Sequence, residues 1–244
     1  NGRCELMRPP SPPPPSPPSP SPPPPIVQHT AVGPADGLEG ILASATAGDP
    51  LNVSLTGAHL LGTIDLTRRD AMPSELWLNG GGDDTALLTS NANGLLVDAS
   101  APGVLLTLRN LRLHGRIRFR SLGARSLTRA SDNPAPPSAL SHAQLALCCL
   151  RQPLAGGVLK IIDCTVTNYS TSAVATSHGR ALEFSDGDAH LEHTSFVHLE
   201  AGALLIGGGS MTVHDAHFVR NTAERGAAAL VTAGTLTLLQ TTIE

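Results

Sequence analysis

Residues 211–231 read MTVHDAHFVRNTAERGAAALV, and the fold turns on how this stretch is read. Met211, Val213 and Phe218 stand at the first, third and eighth places of an eight-residue pattern, with the small Ala216 at the sixth. Alternation over the first three places suits a half-buried strand. A polar turn follows at Arg220-Asn221-Thr222, and then the glycine-flanked apolar run from Gly226 to Val231. The pattern recurs at Leu236, Leu238, Thr241 and Ile243, and at Ala189, Leu191, Thr194 and Phe196. It recurs again at Leu159, Ile161, Cys164 and Val166, and at Leu106, Leu108, Leu111 and Leu113, where the sixth place is a leucine. The starts at 159, 189, 211 and 236 are 30, 22 and 25 residues apart, and the 53 residues from 106 to 159 read as two such steps. Self-similarity at this spacing signals stacked units, none of which buries its apolar face alone.

Composition agrees with a narrow solenoid. Of 244 residues 41% are hydrophobic but only 2% aromatic, so aliphatic and small side chains must fill the interior. A net charge of −4 supplies no basic field, which argues against nucleic acid as a partner. No run of about 18 apolar residues offers a membrane span. The sequence starts at Asn1 and stops at Glu244 straight after a repeat strand, and it reads as a piece of a longer protein. Cys4, Cys148, Cys149 and Cys164 lack metal-binding spacing and leave their disulfide state open. Cys164, at a sixth place, reads as a small buried filler.

Residues 1–35 read as a disordered stalk. From Pro9 to Pro25 there are thirteen prolines and four serines, a segment that can neither ladder nor coil and extends as polyproline II. Its Ser-Pro blocks resemble the hydroxyproline-rich cell-wall glycoproteins of green algae and plants. That resemblance implies hydroxylation, O-glycosylation and a secretory route. Residues 36–48 read as a short capping helix, with Asp36 as N-cap, Leu38, Ile41, Leu42 and Ala45 on one face, and Gly48 at the end. Residues 49–244 are strand and turn, broken by an irregular excursion at about 118–156 that carries Cys148 and Cys149.

Phe218-x-x-Asn221 followed by Gly226-Ala-Ala-Ala-Leu230 resembles the repeats of right-handed parallel β-helices, as in polymorphic outer-membrane proteins and pectin-lyase-like proteins. Phe196 with Gly202-Ala-Leu-Leu-Ile206 repeats it with Leu199 in the asparagine place, and Val166 with Ser172-Ala-Val174 is a weaker copy. The expected fold is therefore all-β, a right-handed parallel β-helix. Asn221 is expected to ladder with its copies at the turn, and Phe196 and Phe218 to stack in the interior. Leucine-rich repeats fit Leu108, Leu111 and Leu113, but the short apolar runs at 203–206 and 229–231 read as returning strands rather than helices.

The resemblance implies folds that host lyases and hydrolases, which would need a catalytic or metal-binding set. Polygalacturonase-like enzymes carry an NTD, DD, GHG, RIK series. Here Asp83-Asp84, Arg116-Ile-Arg118 and Ser177-His-Gly179 stand in another order without the NTD. A calcium-dependent reading rests on Asp186 and Asp188, with Asp163 and Asp215 stacked near them, a set short of the six to eight oxygens calcium takes. Histidines 190, 193, 198, 214 and 217 read as turn-side groups. Arg109, Arg112, Arg116, Arg118 and Arg120 form a basic stripe able to meet acidic sugars. Aligned repeats place Thr107, Lys160, His190, Thr212 and Thr237 in one column. A second, more acidic column holds Asn110, Asp163, His193, Asp215 and Gln240, with Glu192 beside it. Asn52 and Asn168 head N-glycosylation sequons. The reading is an extracellular or wall-associated β-helix module, structural or binding cell-wall polysaccharide or matrix glycoproteins, with no complete catalytic motif and no cofactor beyond a weak case for calcium. The alternatives are a pectin-lyase-like carbohydrate lyase or hydrolase, and the ectodomain of a larger membrane receptor or receptor kinase.

Overall fold

The computed structural model describes residues 27–33, 37–45, 48–67, 73–81, 86–90, 94–101, 103–120, 156–167 and 180–244. The chain starts with β1 (Val27–Val32) and α1 (Leu38–Ser44), then repeats a unit of three strands. The units are β2 (Leu51–Leu55), β3 (Ala58–Leu61) and β4 (Ile64–Asp65), then β5 (Glu75–Gly80), β6 (Ala86–Ser90) and β7 (Leu95–Ala99). Next come β8 (Leu105–Arg109), β9 (Leu111–His114) and β10 (Arg116–Phe119), followed by β11 (Val158–Ile162), β12 (Thr165–Thr167) and β13 (Leu182–Phe184). The last full units are β14 (Asp188–Glu192), β15 (Ser195–Val197) and β16 (Leu204–Ile206), and β17 (Ser210–His214), β18 (His217–Val219) and β19 (Ala229–Val231). β20 (Thr235–Leu239) and β21 (Thr242–Ile243) follow.

Each unit sends its strands to three different sheets in turn. The first sheet runs β1-β2-β5-β8-β11-β14-β17-β20, the second β3-β6-β9-β12-β15-β18-β21, and the third β4-β7-β10-β13-β16-β19. All the pairings are parallel, so the protein is all-β and of the parallel β-helix type expected from the repeats. Leu106, Leu159, Ala189, Met211 and Leu236 pair in register in the first sheet, as the repeated pattern requires. First- and third-place side chains point inward into a single shared core, except at the open end of the described stack, where Leu236 is only partly buried and Leu238 is exposed. The repeat therefore buries its apolar face only by stacking.

All four phenylalanines of the chain lie in that core as two stacked pairs. Phe196 and Phe218 sit with ring centroids 5.0 Å apart and planes 4° off parallel, as expected from their shared eighth place. Phe119 and Phe184 stack at 5.7 Å between β10 and β13, a pair outside the repeated pattern.

Several expectations need correction. The 53 residues from Leu106 to Leu159 are not two steps: β8 and β11 are adjacent, pairing from Leu105↔Val158 to Arg109↔Ile162. The excursion leaves after the third-sheet strand β10 and returns at β11 without adding a first-sheet strand; its residues 121–155 lie outside those described. Residues 27–32, read as part of the stalk, form β1 and pair with β2. Once the prolines end, Val27-Gln-His-Thr-Ala-Val32 can donate to a ladder, and β-branched residues favour it. The helix is shorter than expected and is capped by Gly37 in a left-handed conformation, not by Asp36, which lies outside the described residues. In chain order α1 replaces the second- and third-sheet strands that would otherwise follow β1. Its Leu38 enters the core, Ile41, Leu42 and Ala45 pack against it, and Glu39 Oε1 accepts the Gly62 amide at 2.6 Å. The remaining stalk, Cys4, Cys148, Cys149, Asn168 and the weak copy at 172–174 lie outside the described residues. In that unit the third-sheet strand is β13.

Candidate functional site

The three corners of each unit carry different chemistry. At the first-to-second corner the fifth-place residues Asn110, Asp163, His193, Asp215 and Gln240 all have positive φ, between 49° and 54° for all but His193 at 47°. Asparagine and aspartate tolerate this left-handed turn best among residues with a Cβ. The amides of Asn110, Asp163, His193 and Asp215 each donate to the fourth-place carbonyl of the next unit. Sixth-place side chains turn inward and close the corner from within. Cys164 Sγ, Thr194 Oγ1 and Thr241 Oγ1 donate to the carbonyls of Ile162, Glu192 and Leu239 at 3.2, 3.0 and 3.1 Å. Three of the five sixth places thus supply a donor as well as bulk, while Leu111 and Ala216 fill theirs with apolar groups alone.

The acidic column forms as aligned. His193 Nδ1 lies 3.4 Å from Asp163 Oδ1, and its Nε2 lies 3.3 Å from Asp215 Oδ2. Arg109 Nε is 3.7 Å from Asp163 Oδ2, and His214 meets the His193 ring edge-on at 6.4 Å. These side chains are about half exposed, which makes each pair a modest contributor to stability.

Asp186 and Asp188 do not join this column, contrary to the calcium reading. Asp188 opens β14, whereas His193 follows its end. Five steps at about 3.3 Å per residue place Asp188 roughly 16 Å from His193. Asp186 Oδ1 accepts the Gly187 amide in the turn before β14. Among the described residues no three His, Cys, Asp or Glu side chains are grouped to hold a metal ion.

The arginine stripe is dispersed by the same geometry. Arg109 belongs to the first sheet, Arg112 to the second, and Arg116 and Arg118 to the third, with Arg120 just past β10. Residues close in sequence face apart because a corner falls between them. On the third sheet the cations are matched by carboxylates. Glu183, 7% exposed, lies 3.4 Å from Arg116, 3.3 Å from Arg118 and 3.9 Å from Arg120. Arg118 also reaches Asp98 at 3.4 Å, and the buried Arg116 Nε has no hydrogen-bond partner. This network was missed because Asp98, Arg118 and Glu183 align only through the third-sheet register.

Arg180 was also missed. Its guanidinium is buried and donates to the backbone carbonyls of Arg225 and Gly226, and burial pulls its pKa down from the ordinary arginine value. It reaches them past Gly202 of the intervening unit, where a Cβ would collide with the Arg180 guanidinium. Asn221 does not ladder with copies of itself, since Leu199 fills that place. Instead its Nδ2 donates to Phe196 O at 2.9 Å and its Oδ1 accepts the Leu199 amide at 3.0 Å.

Of the other candidates, Arg116 and Arg118 are placed as above, while Asp83-Asp84 and 177–179 lie outside the described residues. His190 stands exposed in the second-place column, His217 is exposed at the start of β18 just past the first-to-second corner, and His198 is exposed after β15 at the second-to-third corner. Asn52 sits mid-strand in β2, its Oδ1 accepting from Asn79 Nδ2 at 2.7 Å. Cys164 is buried and its thiol is pushed up to about 12, chiefly by burial. At pH 8 only about one such thiol in ten thousand is ionised. Native protein treated with iodoacetamide at that pH is expected to leave the Cys164 peptide unmodified by mass spectrometry, and denatured protein to label it. Rapid native labelling would place Cys164 outside the core.

Among the described residues the first sheet has the most strands, eight, and its outer face keeps a regular register from β2 to β20. Its central column runs Asn52, Trp77, Thr107, Lys160, His190, Thr212 and Thr237. Beside it runs Ser54, Asn79, Arg109, Ile162, Glu192, His214 and Leu239. Among the described residues no helix is long and apolar enough to cross a membrane. No protein-family profile, no curated protein and no solved structure matches the chain.

Proposed function

We propose that the chain is an extracellular or wall-associated β-helix module that holds or spaces polysaccharide without cleaving it. The observation that carries this reading is the unbroken parallel outer face of the first sheet, whose columns from β2 to β20 present mainly amide, hydroxyl and imidazole groups in register. Polymers with a repeating unit suit a surface that itself repeats. The Ser-Pro segment and its resemblance to hydroxyproline-rich wall glycoproteins support the location.

Cleavage would ask more of the site. Glycoside hydrolysis uses two carboxyl groups about 5 to 9.5 Å apart, one of them free to take or give a proton. In the acidic column Asp163 and Asp215 are separated by His193 and engaged by it, and Asp163 also faces Arg109. Purified protein is expected to be retarded in gels containing wall polysaccharides and to release no reducing or unsaturated ends from them, with or without calcium. Product formation abolished by Asp163→Asn or Asp215→Asn would replace this reading with the lyase or hydrolase one.

A further inference from the structure

We infer that Trp77 is a stacking platform for a pyranose ring of a neutral polysaccharide, an inference that rests on the polysaccharide reading and localises it. The distribution of aromatics motivates it. Every phenylalanine is inside, in a stacked pair, while the single tryptophan of the chain is outside on β5. Leu76 and Leu78 on either side point into the core, so Trp77 must face outward, where it is half-buried. A large apolar ring left on a surface, with its N–H at one edge, suits a partner that is apolar on one face and polar at its rim.

A sugar ring has that character, with C–H groups on its faces and hydroxyls around its edge. The neighbours of Trp77 complete the match. Asn52 and Thr107 stand beside it in register on the adjoining strands, and Ser54 and Asn79 lie in the next column. Asn79 Nδ2 donates to Asn52 Oδ1, which orients both amides and leaves the Asn52 N–H groups and the Asn79 oxygen to bond hydroxyls. Half-buried Leu105 and Val158 extend the apolar strip along the column on the other side.

The charge pattern selects a neutral polymer over an acidic one. Arg109, the cation diagonal to Trp77, already faces Asp163, and Lys160 is two strands away. Glu75 on the same strand would repel a uronate. The strand-to-strand step of about 4.8 Å approaches the length of one sugar residue, so a glycan crossing the strands meets polar rungs at close to its own spacing.

The test uses protein made in bacteria, so that no glycan on the neighbouring Asn52 fills the site. Neutral glucans, xylan and galactan, with polygalacturonate for comparison, are tested by affinity electrophoresis and by intrinsic fluorescence of the sole tryptophan. Binding is expected to shift the Trp77 emission. Trp77→Ala is expected to weaken retardation at least tenfold in apparent Kd, with Trp77→Phe intermediate and the circular dichroism spectrum unchanged. Polymer retention that is equal in wild type and Trp77→Ala, with no emission change, overturns this site but leaves the polysaccharide reading standing. Absence of retention by every polymer overturns both. Retention of polygalacturonate alone overturns the neutral assignment.

Discussion

Replacing Phe218 by alanine is expected to lower the unfolding free energy by about 3 to 5 kcal/mol, read as a shifted denaturation midpoint at constant slope. The ring is 1% exposed and lies face to face with Phe196. Its removal forfeits aromatic burial and the stacked contact, and leaves a void in a narrow core with few ways to collapse. Position along the stack grades the effect. Phe196 lies between Val166 and Phe218, both buried, whereas the other neighbour of Phe218 is Ile243, which is 60% exposed. Phe196→Ala should therefore cost at least as much as Phe218→Ala. An unchanged midpoint for both would mean that the eighth place does not face the interior.

Gly209→Ala is expected to be as damaging through the backbone. Gly209 has φ +73°, and a Cβ there would stand 2.5 Å from Gly187 O and 2.9 Å from the Phe184 ring. The left-handed conformation alone costs about 1 to 3 kcal/mol in a residue with a Cβ, and the overlap with a neighbouring backbone adds to it. Two residues earlier, the same added carbon at Gly207 meets nothing closer than Ser185 Oγ at 3.6 Å. Gly207→Ala should stay within about 0.5 kcal/mol of wild type. Equal midpoints for the two alanine variants would contradict the close packing of successive units at the third-to-first corner.

The contrast between corners explains what could be read from the sequence. At the first-to-second corner, side chains project outward from a left-handed turn, so Asn, Asp, His and Gln all serve and the column shows only as a position in a pattern. The interior was legible because apolar places recur at fixed offsets from the corner, which is why Phe196 and Phe218 could be paired in advance. Phe119 with Phe184, and Arg118 with Glu183, could not be. Each pair joins β10 to β13 across more than 60 residues, and the offset from the first-sheet strand to the third-sheet strand varies from unit to unit. Trp77 could have been singled out from its second place between Leu76 and Leu78, an outward position where a tryptophan has no core to fill. Arg180 gave no signal, because its acceptors are main-chain carbonyls that any residue would provide.

The direct pairing of β8 with β11 also says how freely this architecture can lengthen. Closing a loop costs free energy only as the logarithm of its length. Stretching the interval between paired strands from 30 residues, as between Leu76 and Leu106, to the 53 between Leu106 and Leu159 adds about half a kcal/mol. That is small beside a single buried leucine, worth about 1.5 to 3 kcal/mol. A foreign peptide spliced between β10 and β11 would meet the same tolerance, while one residue inserted within β8 would slip every outward group to the inside. The chain thus separates into rungs whose register is strict and a junction whose length costs the fold little free energy. Variation in size among descendants of such a gene should accumulate there first.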